Sequence, residues 1–142
     1  DKHIYKLLKQ TLAAVKQQSQ LGSLIRLFEI RLLSISGYKP QIDRCVVCKI
    51  ISENGIFRFS YIQNGIICKN CCNRVPTDIQ FTTGTRNYIK KLMEVEIKNC
   101  GRIKIPKNQE GEVEKVTHRL VLSHLGREPK SYPFIKTMAQ FI

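Results

Sequence analysis

The chain has 142 residues, with 24 Lys+Arg against 11 Asp+Glu, a formal net charge of +13, and six cysteines. That length can bury a core without covalent staples, and so few cysteines make a poor disulfide scaffold. No run approaches the roughly eighteen apolar residues of a membrane span, so the reading is a soluble, cytoplasmic protein whose excess of cations selects polyanions as partners.

In chain order, Ile4, Leu7, Leu8, Leu12 and Val15 recur at helical spacing and predict a first helix with one apolar face, Lys2, Lys6, Lys9 and Lys16 lying elsewhere around the wheel. From Leu21 to Ile35 apolar residues cover nearly the whole circumference, which predicts a second helix at the centre of a bundle. Gly37 is placed to end it and Pro40 to prevent its resumption.

Two Cys-x-x-Cys pairs follow, Cys45/Cys48 and Cys68/Cys71, separated by nineteen residues. Two cysteines at this spacing can turn both sulfurs inward from one tight knuckle, and two knuckles complete a tetrahedron for Zn²⁺. Between them, residues 55–62 alternate as a strand, Asn64-Gly65 suits a two-residue type I′ turn, and Ile66-Ile67-Cys68 reads as the return strand. The expectation is a zinc ribbon over 41–75, inserted into a single helical domain spanning 1–142. Cys72 is an alternative to Cys71 but breaks the spacing, and Cys100 has no partner in the pattern. Four thiolate ligands leave no open coordination position, so the single Zn²⁺ is expected to be structural, its loss unfolding at least about Asp43 to Arg74.

Beyond the ribbon, Tyr88, Ile89, Leu92, Met93 and Glu96 fall at helical steps in a segment starting near Thr85. Lys98 to Lys107 then reads as a basic linker in which Lys98, Arg102, Lys104 and Lys107 suit phosphate contact. A helix from Gln109 to Leu125 carries the stripe Val113, Val116, Leu120, Val121 and His124, with Glu110, Glu112 and Glu114 near its positive end. Gly126 ends it, and a last short helix is expected over Pro133 to Phe141. The fold class is thus mainly α, a helical bundle with an inserted four-cysteine ribbon. The histidines His3, His118 and His124 sit in no catalytic motif, and no enzyme is expected. On these features alone, a zinc-ribbon nucleic-acid-binding module of the transcription or translation machinery is the alternative.

The run from Ile25 through Phe28-Glu29 to Gly37-Tyr38-Lys39-Pro40, leading into Cys45-Val46-Val47-Cys48, resembles the central segment of the bacterial DNA repair protein RecO family. So do the return strand Gly65-Ile66-Ile67-Cys68 and the tail His124-Leu125-Gly126-Arg127-Glu128. The resemblance implies a recombination mediator that binds single-stranded DNA, promotes annealing and, with RecR, loads RecA onto strands coated by the single-strand-binding protein SSB. It also implies that Cys45, Cys48, Cys68 and Cys71 are the metal ligands. The central helix would receive the acidic, apolar-ended SSB tail, with Arg26 meeting a carboxylate and Phe28 and Ile30 beside it. Arg127 and Lys130 join the expected DNA contacts. An N-terminal OB-fold domain usual in that family has no counterpart in these residues, and Lys49 stands where the family often has Gly.

Overall fold

Helix α2 (Leu21–Ile35) has neighbours on almost every side, which is why its sequence is apolar around the wheel. The computed structural model, which describes residues 2–16, 21–51 and 55–125, packs α2 against α1 (Lys2–Val15), α3 (Thr83–Glu94), α4 (Lys107–Leu125) and a 3₁₀ turn at Ile97–Arg102. Leu24, Leu27, Ile30 and Leu33 are buried together with Tyr88, Ile89 and Leu92 of α3 and Val113, Val116, Leu120 and Val121 of α4. The stop at Gly37 is a paired hydrogen-bond cap, Tyr38 N–H to Leu33 O and Gly37 N–H to Ser34 O, with Gly37 at φ +89°.

Helix α1 departs from the expected orientation. It turns Leu7 and Ala14, one heptad apart, onto the bundle, and leaves Tyr5, Leu8, Leu12 and Val15 exposed. The predicted single face is therefore two faces: Leu7 and Ala14, with Ile4 and Thr11 half-buried beside them, meet the bundle, and the other apolar residues lie further round the helix.

The sheet is three-stranded and antiparallel, in the order β2-β1-β3, built from β1 (Ile56–Ser60), β2 (Gly65–Ile67) and β3 (Ile79–Thr82). Phe57 and Phe59 of β1 point into the main core with Ile66 and Phe81, so one face of the sheet is covered by the helices. The hairpin turn differs from the two-residue expectation: Ser60 pairs with Gly65, residues 61–64 make the turn, and Asn64 alone takes the left-handed conformation at φ +53°. Gly65 serves packing instead, since a Cβ there would collide with the Val46 side chain and crowd Gln41. Strand β3 was not foreseen. It runs into α3 with no intervening residue.

That junction lacks a side-chain cap of its own, and α4 supplies one. Glu112 Oε1 accepts hydrogen bonds from Thr82 N–H at 2.8 Å, Thr82 Oγ1 at 2.9 Å and Thr85 Oγ1 at 2.5 Å. Burial pushes the Glu112 carboxyl up, but these three donors outweigh it and hold the group below the ordinary 4.5. A depressed carboxylate contributes stability that is complete above its unfolded value and disappears as pH falls through the folded one. Glu112→Ala is expected to cost about 1–2 kcal/mol at pH 7. Denaturant melts from pH 6 to 3 should show Glu112→Gln losing less stability than wild type below about pH 4.5; parallel pH profiles would remove the cap from the account.

The expected basic linker is more structured than predicted. Cys100 is fully buried, and Ile97, Ile103 and Ile105 pack against the core, so this segment holds on to the bundle while its cations face outward. The physical reason is the alternation of Arg102, Ile103, Lys104 and Ile105, which turns every second residue, half-buried, onto the core. The last predicted helix, with Arg127 and Lys130, lies outside the described residues.

Candidate metal centre and partner surfaces

Each half of the ribbon brings two cysteines to one point. The first knuckle closes by Lys49 N–H to Cys45 O at 2.9 Å and Cys45 N–H to Ile50 O at 3.0 Å; the second by Cys71 N–H and Cys72 N–H, both to Cys68 O, at 3.1 and 3.0 Å. Val46 N–H to Ile66 O and Ile66 N–H to Gln41 O fasten the first knuckle along β2. Lys49 adopts a left-handed conformation, φ +65°, where a Gly would be free of the Cβ penalty of about 1 kcal/mol.

The sulfurs of Cys45, Cys48, Cys68 and Cys71 all lie within 4.8 Å of one another, with Cys48 Sγ and Cys68 Sγ at 3.6 Å. Metal–sulfur bonds of 2.3 Å in a tetrahedron set sulfurs about 3.8 Å apart, so the cage fits a zinc-sized ion. Cys72 stands outside it, donating its thiol to Lys69 O at 3.0 Å. Burial opposes ionisation of Cys45, yet the N–H groups of Cys48, Cys68 and Val47 aimed at its sulfur bring it down to about 6. Cys71 moves the other way, to about 12, because it shares hydrogen bonds with Cys68, is desolvated and faces the charge forming at Cys45. Four thiols at this spacing cannot all ionise unless a cation sits among them. Among the described residues, the buried apolar cluster around the sulfurs is Cys45, Ile67 and Cys71, with Val46, Cys68, Cys72 and Val75 against them. Cys100 lies apart in the main core, its thiol pushed up by burial.

The three residues expected to meet an acidic tail are placed less favourably. Ile30 is 0 % exposed. Arg26 lies between α2 and α4, its Nη1 3.2 Å from Thr117 Oγ1 and 3.1 Å from Glu29 Oε2, and Phe28 is half-buried. The reason is the centrality of α2, whose polar strip is covered by α4. Sequence reading missed a cleft of about 400 Å³ between α1, α2 and the 3₁₀ turn, lined by Lys6, Arg31 and Lys39 with Leu7, Ile35, Met93 and Ile97. Arg31 is committed to closing α3, donating to Leu92 O at 3.0 Å and to Val95 O. The exposed Lys6 and Lys39 are the cations at its mouth. Nothing in the linear pattern joins positions 6, 39 and 97; only the packing of α1 does.

Lys98, Arg102, Lys104 and Lys107 are all exposed, with Lys98 paired to Glu96 at 3.1 Å. Arg86 donates to Ile42 O at 3.0 Å and reaches Asp43, which also meets Lys90 at 3.1 Å. Tyr38 stacks on His124 with ring centres 4.2 Å apart, and Asn64 donates to Tyr38 O and Lys39 O.

The family model described as "Recombination protein O C terminal" matches residues 1–133. The chain belongs to the RecO family. Curated relatives named DNA repair protein RecO include that of Dehalococcoides mccartyi, 30 % identical over 96 % of this chain and 54 % of the relative. That of Bacillus pumilus is 24 % identical over 96 % of the chain and 52 % of the relative, and that of Symbiobacterium thermophilum 26 % over 81 % and 46 %. The chain therefore spans about half the length of the RecO relatives it matches. No solved structure gives a significant match. The RecO match covers the four cysteines, the cleft and the basic segment alike. No helix among the described residues is long and apolar enough to cross a membrane.

Proposed function

We propose that this chain acts in DNA repair and recombination as the helical, zinc-holding part of a mediator that binds single-stranded DNA and the SSB tail. With RecR it would promote annealing and RecA loading. The family match over residues 1–133 carries the reading. Zn²⁺ at Cys45, Cys48, Cys68 and Cys71 is structural, and no covalent chemistry is assigned to the chain. Exposed Lys98, Arg102, Lys104 and Lys107, with Arg127 and Lys130, neutralise phosphate repulsion so that two strands can meet.

For the tail, the cleft between α1 and α2 suits an acidic peptide with an apolar end better than the surface around Arg26. Lys6 and Lys39 stand at its mouth, and Leu7, Ile35 and Met93 line it. Titration of the zinc-loaded chain with a fluorescent peptide copying the SSB tail should give saturable binding, weakened at least tenfold by Lys6→Glu with Lys39→Glu. Removal of the peptide's last apolar residue should weaken it similarly. Binding indifferent to both changes would take the tail away from this cleft, and absence of annealing by the full-length protein would remove the mediator reading.

A further inference from the structure

The exposed face of α1 has the pattern of a helix-pairing seam. Tyr5, Leu8, Leu12 and Val15 follow one another at steps of three, four and three, the a and d positions of two heptads, and they are 67, 44, 58 and 44 % exposed. A helix that merely covers a core buries a wider stripe of three or four residues per two turns. Here the core contact is made by Leu7 and Ala14, with Ile4 and Thr11 half-buried beside them, and this narrow seam lies about a quarter-turn further round the helix, additional to that contact.

The charges beside the seam state what it fits. Lys2, Lys9 and Lys16 recur at intervals of seven along one flank, the e positions of the same heptads, and Lys2–Val15 contains no acidic residue. Two copies of α1 packed antiparallel would set these lysines against one another, and packed parallel would leave them facing Ile4 and Thr11. The net charge of +13 adds a long-range repulsion between copies. An acidic helix with carboxylates every seven residues beside its own apolar seam would satisfy both the leucines and the lysines.

We propose that the outer face of α1 is a docking surface for an acidic amphipathic helix of a partner protein, bound in coiled-coil register along Tyr5, Leu8, Leu12 and Val15 and steered by Lys2, Lys9 and Lys16. This seam is separate from the cleft, to which α1 contributes Lys6 and Leu7 from its other sides.

The test uses the zinc-loaded chain and two synthetic three-heptad peptides with Leu at a and d, one with Glu and one with Lys at the flanking positions, read by fluorescence anisotropy. The Glu peptide is expected to bind, and Leu8→Gln with Leu12→Gln to weaken it at least tenfold. Both positions are exposed, so circular dichroism of that variant should match wild type. Lys9→Glu with Lys16→Glu should reverse the preference by at least tenfold, toward the Lys peptide. Binding of neither peptide by the folded chain would overturn the proposal. So would a dimer in sedimentation that Leu12→Gln dissolves, which gives the seam to a second copy, or binding to anionic phosphatidylglycerol vesicles in preference to the Glu peptide. Because Lys6 and Lys39 are untouched, loss of helix docking with tail binding intact separates failure here from failure of the functional reading.

Discussion

Removing the metal with a chelator should release the backbone amides of Cys45, Val46, Lys49, Cys71 and Cys72 to hydrogen exchange while those of β1 and β3 stay protected. The knuckles have a core of three buried residues, two of them ligands, which cannot offset the entropy of ordering the surrounding loops. Binding of a four-thiolate zinc supplies on the order of 10 kcal/mol to such a module. Phe57, Phe59 and Phe81, by contrast, are anchored in the helical core and need no metal to remain there. The expected unfolding therefore centres on the two knuckles and spares β1, which lies between them. Cys45→Ser should give the same exchange pattern at neutral pH even with zinc in excess, and Cys72→Ser should leave it as in wild type. Equal protection with and without metal would show that the knuckles fold by their own packing, and the assignment of a structural zinc would fall.

Arg26→Ala is the second large effect: about 3 kcal/mol of stability lost, a sizeable share of the 5–15 kcal/mol of a typical domain. Arg26 and Glu29 are nearly buried, with 12 and 10 % of their side chains exposed, and face Thr117 across the α2–α4 contact. Burial already pushes the Glu29 carboxyl up, against the opposing charge of Arg26. Without Arg26 the carboxylate must ionise uncompensated or take up a proton, and Thr117 loses a donor. Arg26→Met combined with Glu29→Leu should recover most of the loss, because an apolar pair needs no desolvated charge. Urea melts of the two variants decide it: a single Arg26→Ala within 1 kcal/mol of wild type would mean that water enters the pair freely. The same effect makes Arg26→Ala a poor probe of peptide binding, since lost affinity and lost structure would coincide.

The parts of the fold legible in the sequence were those whose cause is local. Gly37 closes α2 because only a residue without Cβ sits easily at φ +89°, and two Cys-x-x-Cys pairs flanking a hairpin mark a pair of knuckles. Val113, Val116, Leu120 and Val121 were a readable stripe because α4 has one buried side and one wet side. What stayed hidden depends on partners distant in sequence. Ile79-Gln80-Phe81-Thr82 is too short to announce a strand until β1 offers it an edge, and its helix start is completed by Glu112, thirty residues away. On α1, Leu7 faces the core while Leu8 and Leu12 face outward, and helical spacing alone allows either set to be the buried one. Arg26 looked available for the same reason: the strip of α2 that carries it is polar, yet α4 covers it.

The unbroken passage from β3 into α3, together with the reach of Arg86 to Ile42 and Asp43, ties the ribbon to the helices at more than one point. A finger on a flexible stalk samples many poses and must lose that freedom each time it grips a ligand. Here the spacing between cations on the knuckles, such as Arg44 and Lys69, and cations on the helices, such as Lys90 and Lys91, is set once, at folding. A strand crossing both would meet a ruler of fixed pitch.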